Sequence, residues 1–273
     1  MKILYFSDIE LQTYPDSVFC VNNTENNDIE LVIIAGDFVE YIELDDHIYR
    51  LEKSLKCIKS NFKNVIYVPG NHELYSTKTK IQVMSFLKKL CKKLNIIFLN
   101  DSSVVLKDKN GKSFLFYGSI LFGGSFYRDD NINDPDFLKI VKEKFEKSSL
   151  KKIKNLTLEK YFAMNTKSIE KLKNLKNPKN LPLICITHYP IIKNMRNPMF
   201  DKQIFMKYFY FNNRKDIVAY MIKNKNLIYW ISGHTHYNKK YSFENIFVMS
   251  NPLGTRKEQK TINKKANYDI VEL

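Results

Sequence analysis

The sequence predicts an α/β fold with parallel strands, and two observations carry that expectation. Three short apolar runs, at 2–7, 31–35 and 64–68, each give way to chemistry-bearing residues: Asp8, then Asp37, then Asn71 with His72. Between the second and third runs, Ile48, Leu51, Leu55 and Ile58 recur at helical spacing, so the order is strand, loop, helix, strand. In such sheets ligands gather outside the carboxyl ends of the strands.

The elements follow in order along the chain. The spacing predicts a helix over 45–60 and another over 78–94, then strands at 96–98, 103–107 and 113–120, the last two joined by the turn-forming DKNGK. Residues 134–175 are Lys-rich with helical periodicity broken near Lys154 and Asn155, and read as two helices with exposed faces. They form either a cap beside a site or a solvated pair. Apolar runs at 181–187 and 227–232 are further buried strands, ending in His188 and in Gly233 with His234, and short strands return after Tyr241. No internal repeat or linker stands out. The expectation is a single domain, 1–273, with a helical cap-like insertion at 134–176.

Composition excludes several classes of function. With 44% hydrophobic residues, only eight glycines and eight prolines, the 273-residue chain is neither disordered nor fibrous. No apolar run nears the roughly 18 residues needed to cross a bilayer, and Asp8 interrupts the N-terminal apolar stretch too early for a signal peptide. Cys20, Cys57, Cys91 and Cys185 are widely spaced without a CxxC pair, which suggests reduced thiols and a cytoplasmic compartment. The net charge of +15 is uneven, with 6 basic and 13 acidic residues through Ser76 and 38 and 16 after it. It permits a nucleic-acid partner without favouring one, because the basic residues are almost all lysine. Only Arg50, Arg128, Arg196, Arg214 and Arg256 offer the bidentate fork that phosphate and guanine select.

The histidines carry the functional signal. Four of the five fall at strand ends, in GNHE, THYP and GHTH, while His47 stands apart. Together with Asp8, Glu10, Asp37 and Asn71 they make an oxygen and imidazole donor set suited to divalent zinc, manganese or iron. SDIE, GDFVE, GNHE, THYP and GHTH occur in that order from Asp8 to His236, and SNPLG follows at 250–254. This series resembles the calcineurin-like metallophosphoesterase superfamily, notably its small bacterial and phage members. The resemblance implies a four-layer α/β/β/α sandwich with a two-metal site at one edge of the packed sheets.

Carried onto this chain, the resemblance makes Asp37 the carboxylate bridging both metals, Asp8 and His236 ligands of the first, and Asn71, His188 and His234 ligands of the second. His72 would face the phosphate and protonate the departing oxygen, and a hydroxide bridging the metals would be the nucleophile. Glu10 stands where the family has histidine. As a ligand it would bias the first site toward manganese, with magnesium, zinc, iron or nickel as other candidates. Glu40 replaces an aspartate that orients the GNH histidine and would act on His72 with a longer arm. The arginines that clamp phosphate in the Ser/Thr protein phosphatases have no counterpart in GDFVEYI or VPGNHE. The expected activity is hydrolysis of a phosphodiester or small phosphomonoester, with a phosphate-ester small molecule or nucleotide as partner. Tyr75, Tyr189 and Tyr237 are candidates for stacking a base. The alternatives are a catalytically degenerate scaffold, to which only Glu10 points, and a nuclease using the basic charge.

Overall fold

In the computed structural model of the protein, the described residues are 1–14, 18–22, 28–40, 42–123, 135–198, 215–255, 258 and 269–273. Arg128, Asp134, Arg214 and Arg256 lie outside them.

The apolar runs form strands that are buried almost throughout. β1 (Lys2–Phe6), β2 (Leu31–Ala35), β3 (Asn64–Val68) and β4 (Ile97–Phe98) pair in parallel, and β11 (Asp269–Glu272) closes the edge antiparallel to β1, giving the order β11-β1-β2-β3-β4. The second sheet has the order β5-β6-β7-β8-β10-β9, from β5 (Ser102–Lys107), β6 (Ser113–Ser119), β7 (Leu183–Thr187), β8 (Leu227–Ser232), β9 (Lys239–Phe243) and β10 (Ile246–Ser250). β6, β7, β8 and β10 run parallel, while β5 and β9 are antiparallel edges. Both sheets are therefore mixed.

Each central strand is apolar on both sides because both of its faces are covered. Ile3, Tyr5, Ile33 and Ile66 of the first sheet meet Phe114, Phe116, Ile184 and Ile231 of the second in a shared inner core. Helices α1 (Asp45–Asn61) and α2 (Lys80–Lys93) cover the outer face of the first sheet through Leu51, Leu55, Val83 and Leu87. On the outer face of the second sheet, α4 (Leu158–Lys173) and α5 (Lys215–Lys223) bury Ile169, Leu172, Ile217 and Met221. The result is a four-layer α/β/β/α sandwich. Each such fully buried side chain contributes roughly 1.5–3 kcal/mol.

Local signals set the boundaries. Thr79 caps α2 reciprocally with Gln82, whose backbone N–H it accepts at 3.4 Å while the Gln82 side chain accepts from Thr79 N at 2.9 Å. In the β5–β6 turn Gly111 adopts φ +84°, and Asp108 Oδ1 accepts from the backbone of Asn110 and Lys112. The SNPLG segment stitches the sheets together at one edge. Asn251 Nδ2 donates to Tyr5 O, Ser7 N to Asn251 O, and Leu253 N to Ser7 O.

Three expectations change. α5 lacked a sequence assignment, since its nine residues hold a continuous apolar run too short to show a helical period. The predicted helical pair, α3 (Pro135–Glu146) and α4, is not simply solvated: Val141, Phe145 and Tyr161 enter the core beneath the first sheet. Cys20 and Cys57 are joined in a disulfide with Cα atoms 5.6 Å apart, while Cys91 and Cys185 are free and buried. Wide sequence spacing says nothing about spatial proximity, and with this bond the thiol argument for a cytoplasmic compartment falls. No helix among the described residues is long and apolar enough to cross a membrane.

The protein denatured without reductant is expected to take up alkyl groups at Cys91 and Cys185 alone, and at all four cysteines after reduction, as read by peptide mass spectrometry. Opening a loop of 37-residue separation is expected to lower stability by up to about 4 kcal/mol.

Candidate metal centre

Both sheets present the carboxyl ends of their parallel strands at the edge that SNPLG stitches. Asp8, Asp37 and Asn71–His72 leave β1, β2 and β3, and His188 and His234–His236 leave β7 and β8. The chain must turn sharply there to aim side chains inward. Asp8, Glu10, Asp37, His234 and His236 all have positive φ, between 48° and 70°. Each left-handed non-glycine residue costs on the order of 1 kcal/mol or more, a strain that collects where function holds it.

The structure brings every predicted site residue to this edge. The donor atoms of Asp37, His188 and His234 lie within 4.8 Å of one another. His188 Nε2 is 2.9 Å from Asp37 Oδ2 and 3.1 Å from Asn71 Oδ1. In a second group, Asp8 Oδ1 is 3.5 Å and Glu10 Oε1 3.4 Å from His236 Nε2. His72 Nε2 lies 3.7 Å from Asp37 Oδ2, and its Nδ1 is 3.0 Å from Glu40 Oε2, an ion-pair distance without the alignment of a hydrogen bond.

Three imidazoles share one arrangement. His188 Nδ1 donates to Ala35 O at 3.0 Å, His236 Nδ1 donates to Glu258 at 2.9 Å, and His72 Nδ1 faces Glu40. Each ring thereby turns Nε2 toward the carboxylates. An outer partner on one ring nitrogen fixes the tautomer and frees the other nitrogen for ligation. His234 is held differently, its ring stacked on Tyr189 at 3.9 Å between centroids and its backbone N–H shared by both oxygens of Asp8 at 3.0 Å.

Charge balance explains the titration of these groups. Burial pushes the Asp8 carboxyl up. Burial also opposes ionisation of Asp37, but His188 and His72 hold its carboxyl below the ordinary range. Burial likewise works against the charged imidazoles, and the carboxylates overcome it: Asp37, Glu40 and Glu10 raise His72 to about 9, Asp37 raises His188 to about 9, and Glu10, Glu258 and Asp8 raise His236 well above its usual value. His234 is pushed down by burial and by His188. So much buried negative charge needs positive charge beside it, here supplied by protons on imidazole. The oxygen and imidazole donors suit divalent cations, which would displace those protons.

Two residues that hold the site escaped sequence reasoning. Glu73, fully buried, accepts from Phe38 N (2.6 Å), Gly70 N (2.6 Å), Tyr67 Oη (2.8 Å) and Asp37 N (3.2 Å). Its only signal was its place in GNHE. Glu258 gave none, because it becomes a neighbour of His236 only through the fold. It is also tied to Thr255 N at 2.7 Å, and His236 holds its carboxyl down at about 2 against the cost of burial. His47, set apart in the sequence, donates from Nδ1 to Glu40 O at 2.6 Å. The base-stacking expectation is corrected for two of its three tyrosines. Tyr75 and Tyr189 are each 1% exposed and packed against His72 and His234, leaving only Tyr237 partly exposed.

The motif glycines are needed for close approach. A Cβ on Gly36, whose φ is +89°, would stand 2.4 Å from His188 Nδ1, and one on Gly70 would stand 2.2 Å from Asp37 Oδ1.

The family model for calcineurin-like phosphoesterase matches residues 1–238. An uncharacterized protein of Acanthamoeba polyphaga mimivirus is 28% identical over 294 aligned positions, covering 100% of this chain and 98% of that one. Among solved structures, the phosphopantetheinyl hydrolase of Mycobacterium tuberculosis is similar with a TM-score of 0.73 and 16% identity, over 99% of this chain and 95% of that one. At that identity the likeness speaks for the fold.

Gly70→Ala is expected to keep the far-UV circular dichroism of the parent while losing most bound divalent metal by elemental analysis. Glu258→Ala is expected to weaken divalent-metal affinity about 10- to 100-fold in calorimetric titration, with Glu258→Gln intermediate.

Proposed function

The chain belongs to the calcineurin-like phosphoesterase family and is a metal-dependent phosphoester hydrolase; we propose that it uses two divalent ions to cleave a small phosphoester or nucleotide. The observation that carries this reading is the convergence of Asp37, His188 and His234 within 4.8 Å, with Asp8 and Glu10 grouped about His236 at 3.5 and 3.4 Å.

In this reading Asp37 would help to hold both ions, with Asp8, Glu10 and His236 for the first and Asn71, His188 and His234 for the second. The oxygen-rich first set favours manganese or magnesium over softer ions. Bound there, the cations would supply Lewis-acid charge to the phosphoryl group and lower the pKa of a water. The chain itself supplies the proton. His72, held by Glu40 at Nδ1, gives the proton on Nε2 to the leaving oxygen as the phosphorus–oxygen bond breaks and water oxygen bonds to phosphorus. Tyr189 under His234 and Glu258 behind His236 fix the rings. Residues 1–273 act as one domain in this proposal, with the insertion at 134–176 contributing Ser149 and Lys152 beside the site.

Chelation is expected to abolish turnover of p-nitrophenyl phosphate or its bis-ester, and readdition of manganese, magnesium, zinc, nickel or iron to restore it. Asp37→Asn and His234→Ala should lose turnover together with bound metal. His72→Ala should retain metal and lose at least about 100-fold in kcat. A folded protein that binds less than one ion per chain and turns over neither ester would overturn the proposal.

A further inference from the structure

Cations held by the donor set would attract any phosphoester, so a choice between phosphoesters of different charge calls for a further charged group beside the site. GDFVEYI and VPGNHE provide no arginine. A lysine from a different part of the chain stands on the His72 side.

The short 3-10 turn Ser149–Lys152, between α3 and α4, is fastened to the site at three points. Ser149 Oγ shares a 2.7 Å hydrogen bond with Tyr75 Oη, which accepts from Asn71 Nδ2 at 2.8 Å. Ile153, next along the chain, bridges Ser76. Lys152 Nζ is 3.4 Å from Glu40 Oε1 and 5.2 Å from the centroid of the Tyr75 ring. His72 has the same two neighbours, with Glu40 Oε2 at 3.0 Å and the Tyr75 ring at 4.6 Å. Lys152 and His72 are thus separated by the width of one carboxylate, against one aromatic ring. The Lys152 side chain is 45% exposed and that of Glu40 only 10%, so the lysine forms the solvent side of the pair.

We propose that Lys152 is a substrate-specificity residue that selects phosphomonoesters, by placing its ammonium against the dianionic phosphoryl group. A monoester phosphate carries close to two negative charges at neutral pH, its second pKa being near 6, whereas a diester carries one. A further cation beside the site therefore discriminates between the two in favour of the monoester. An ammonium on a flexible four-carbon stem suits the task, since it can turn from Glu40 to a phosphoryl oxygen without moving the backbone. The anchoring through Ser149 and Ile153 keeps the turn in place while the side chain moves. This assignment rests on the phosphoester-hydrolase reading of the same site and names its substrate class.

The test is the steady-state kinetics of metal-loaded wild type, Lys152→Ala, Lys152→Glu and Lys152→Arg with p-nitrophenyl phosphate and bis-p-nitrophenyl phosphate, at low and high salt, with thermal midpoints as the folding control. In Lys152→Ala the monoester KM is expected to rise about tenfold more than the diester KM, the size of one hydrogen bond to a charged group. Lys152→Glu should exceed that shift and Lys152→Arg recover most of it, and the discrimination should shrink with salt. Equal KM shifts for both esters, or a fall in kcat with unchanged KM, would overturn the assignment and leave Lys152 as a support for Glu40 and His72. Unchanged kinetics in all variants would reduce it to a surface ion pair. Absence of metal-dependent turnover in the wild type would remove the hydrolase reading itself, an outcome distinct from an active wild type indifferent to Lys152.

Discussion

A carboxylate with no access to water holds the site together. Glu73, its carboxyl pushed up by burial and by Asp37, lies in a space closed by Tyr67 and the backbone of Phe38 and Gly70, with four donors within 3.2 Å. A buried carboxyl stripped of its hydrogen-bond partners would cost several kcal/mol, so the loops after β2 and β3 can close only in the register that brings those donors to it. That register sets where Asp37 points. It also brings His72 N to Asp37 Oδ1 at 2.8 Å, so the chain before the histidine is fixed by the carboxylate that the histidine faces.

The same logic runs outward through the imidazoles. Each of His72, His188 and His236 has an outward neighbour for Nδ1, drawn from a different part of the chain: a glutamate side chain of the loop after β2, the carbonyl of the last residue in β2, and Glu258 beyond SNPLG. Orientation is thereby decided before any cation arrives, which limits the reorganisation that binding requires. The left-handed backbone at Asp8, Glu10, Asp37, His234 and His236 is the local cost of pointing short and medium side chains inward from strand ends. The two packed sheets offset it, because their shared core fixes those ends whatever the loops prefer.

Glu10 stands close to two imidazoles at this edge. Its carboxylate stands near His236 Nε2 and 3.9 Å from His72 Nδ1, so it adds negative charge on the side where Glu40 already stands. Lys152 enters from the helical segment at the same side. Part of the positive charge on this side of the site therefore comes from outside the five motifs, by way of the segment between α3 and α4, whose inner faces are core rather than solvated surface.

The sequence alone determined the order of most strands and helices, the residue types that gather at one edge, and their place at strand ends. Those properties are written in local periodicity and in residue chemistry at short spacing, so Asp8, Asp37, Asn71, His72, His188, His234 and His236 were all legible. Tertiary structure alone decided which distant groups support them. Glu258 behind His236, Lys152 beside Glu40, Tyr189 beneath His234 and the bond between Cys20 and Cys57 are contacts across loops and sheets. Their residue types are common in this chain, and nothing in their local spacing distinguishes a partner from a bystander. It is the packing of two sheets against each other that brings the ends of separate strands to one edge, and with them the residues that complete the site.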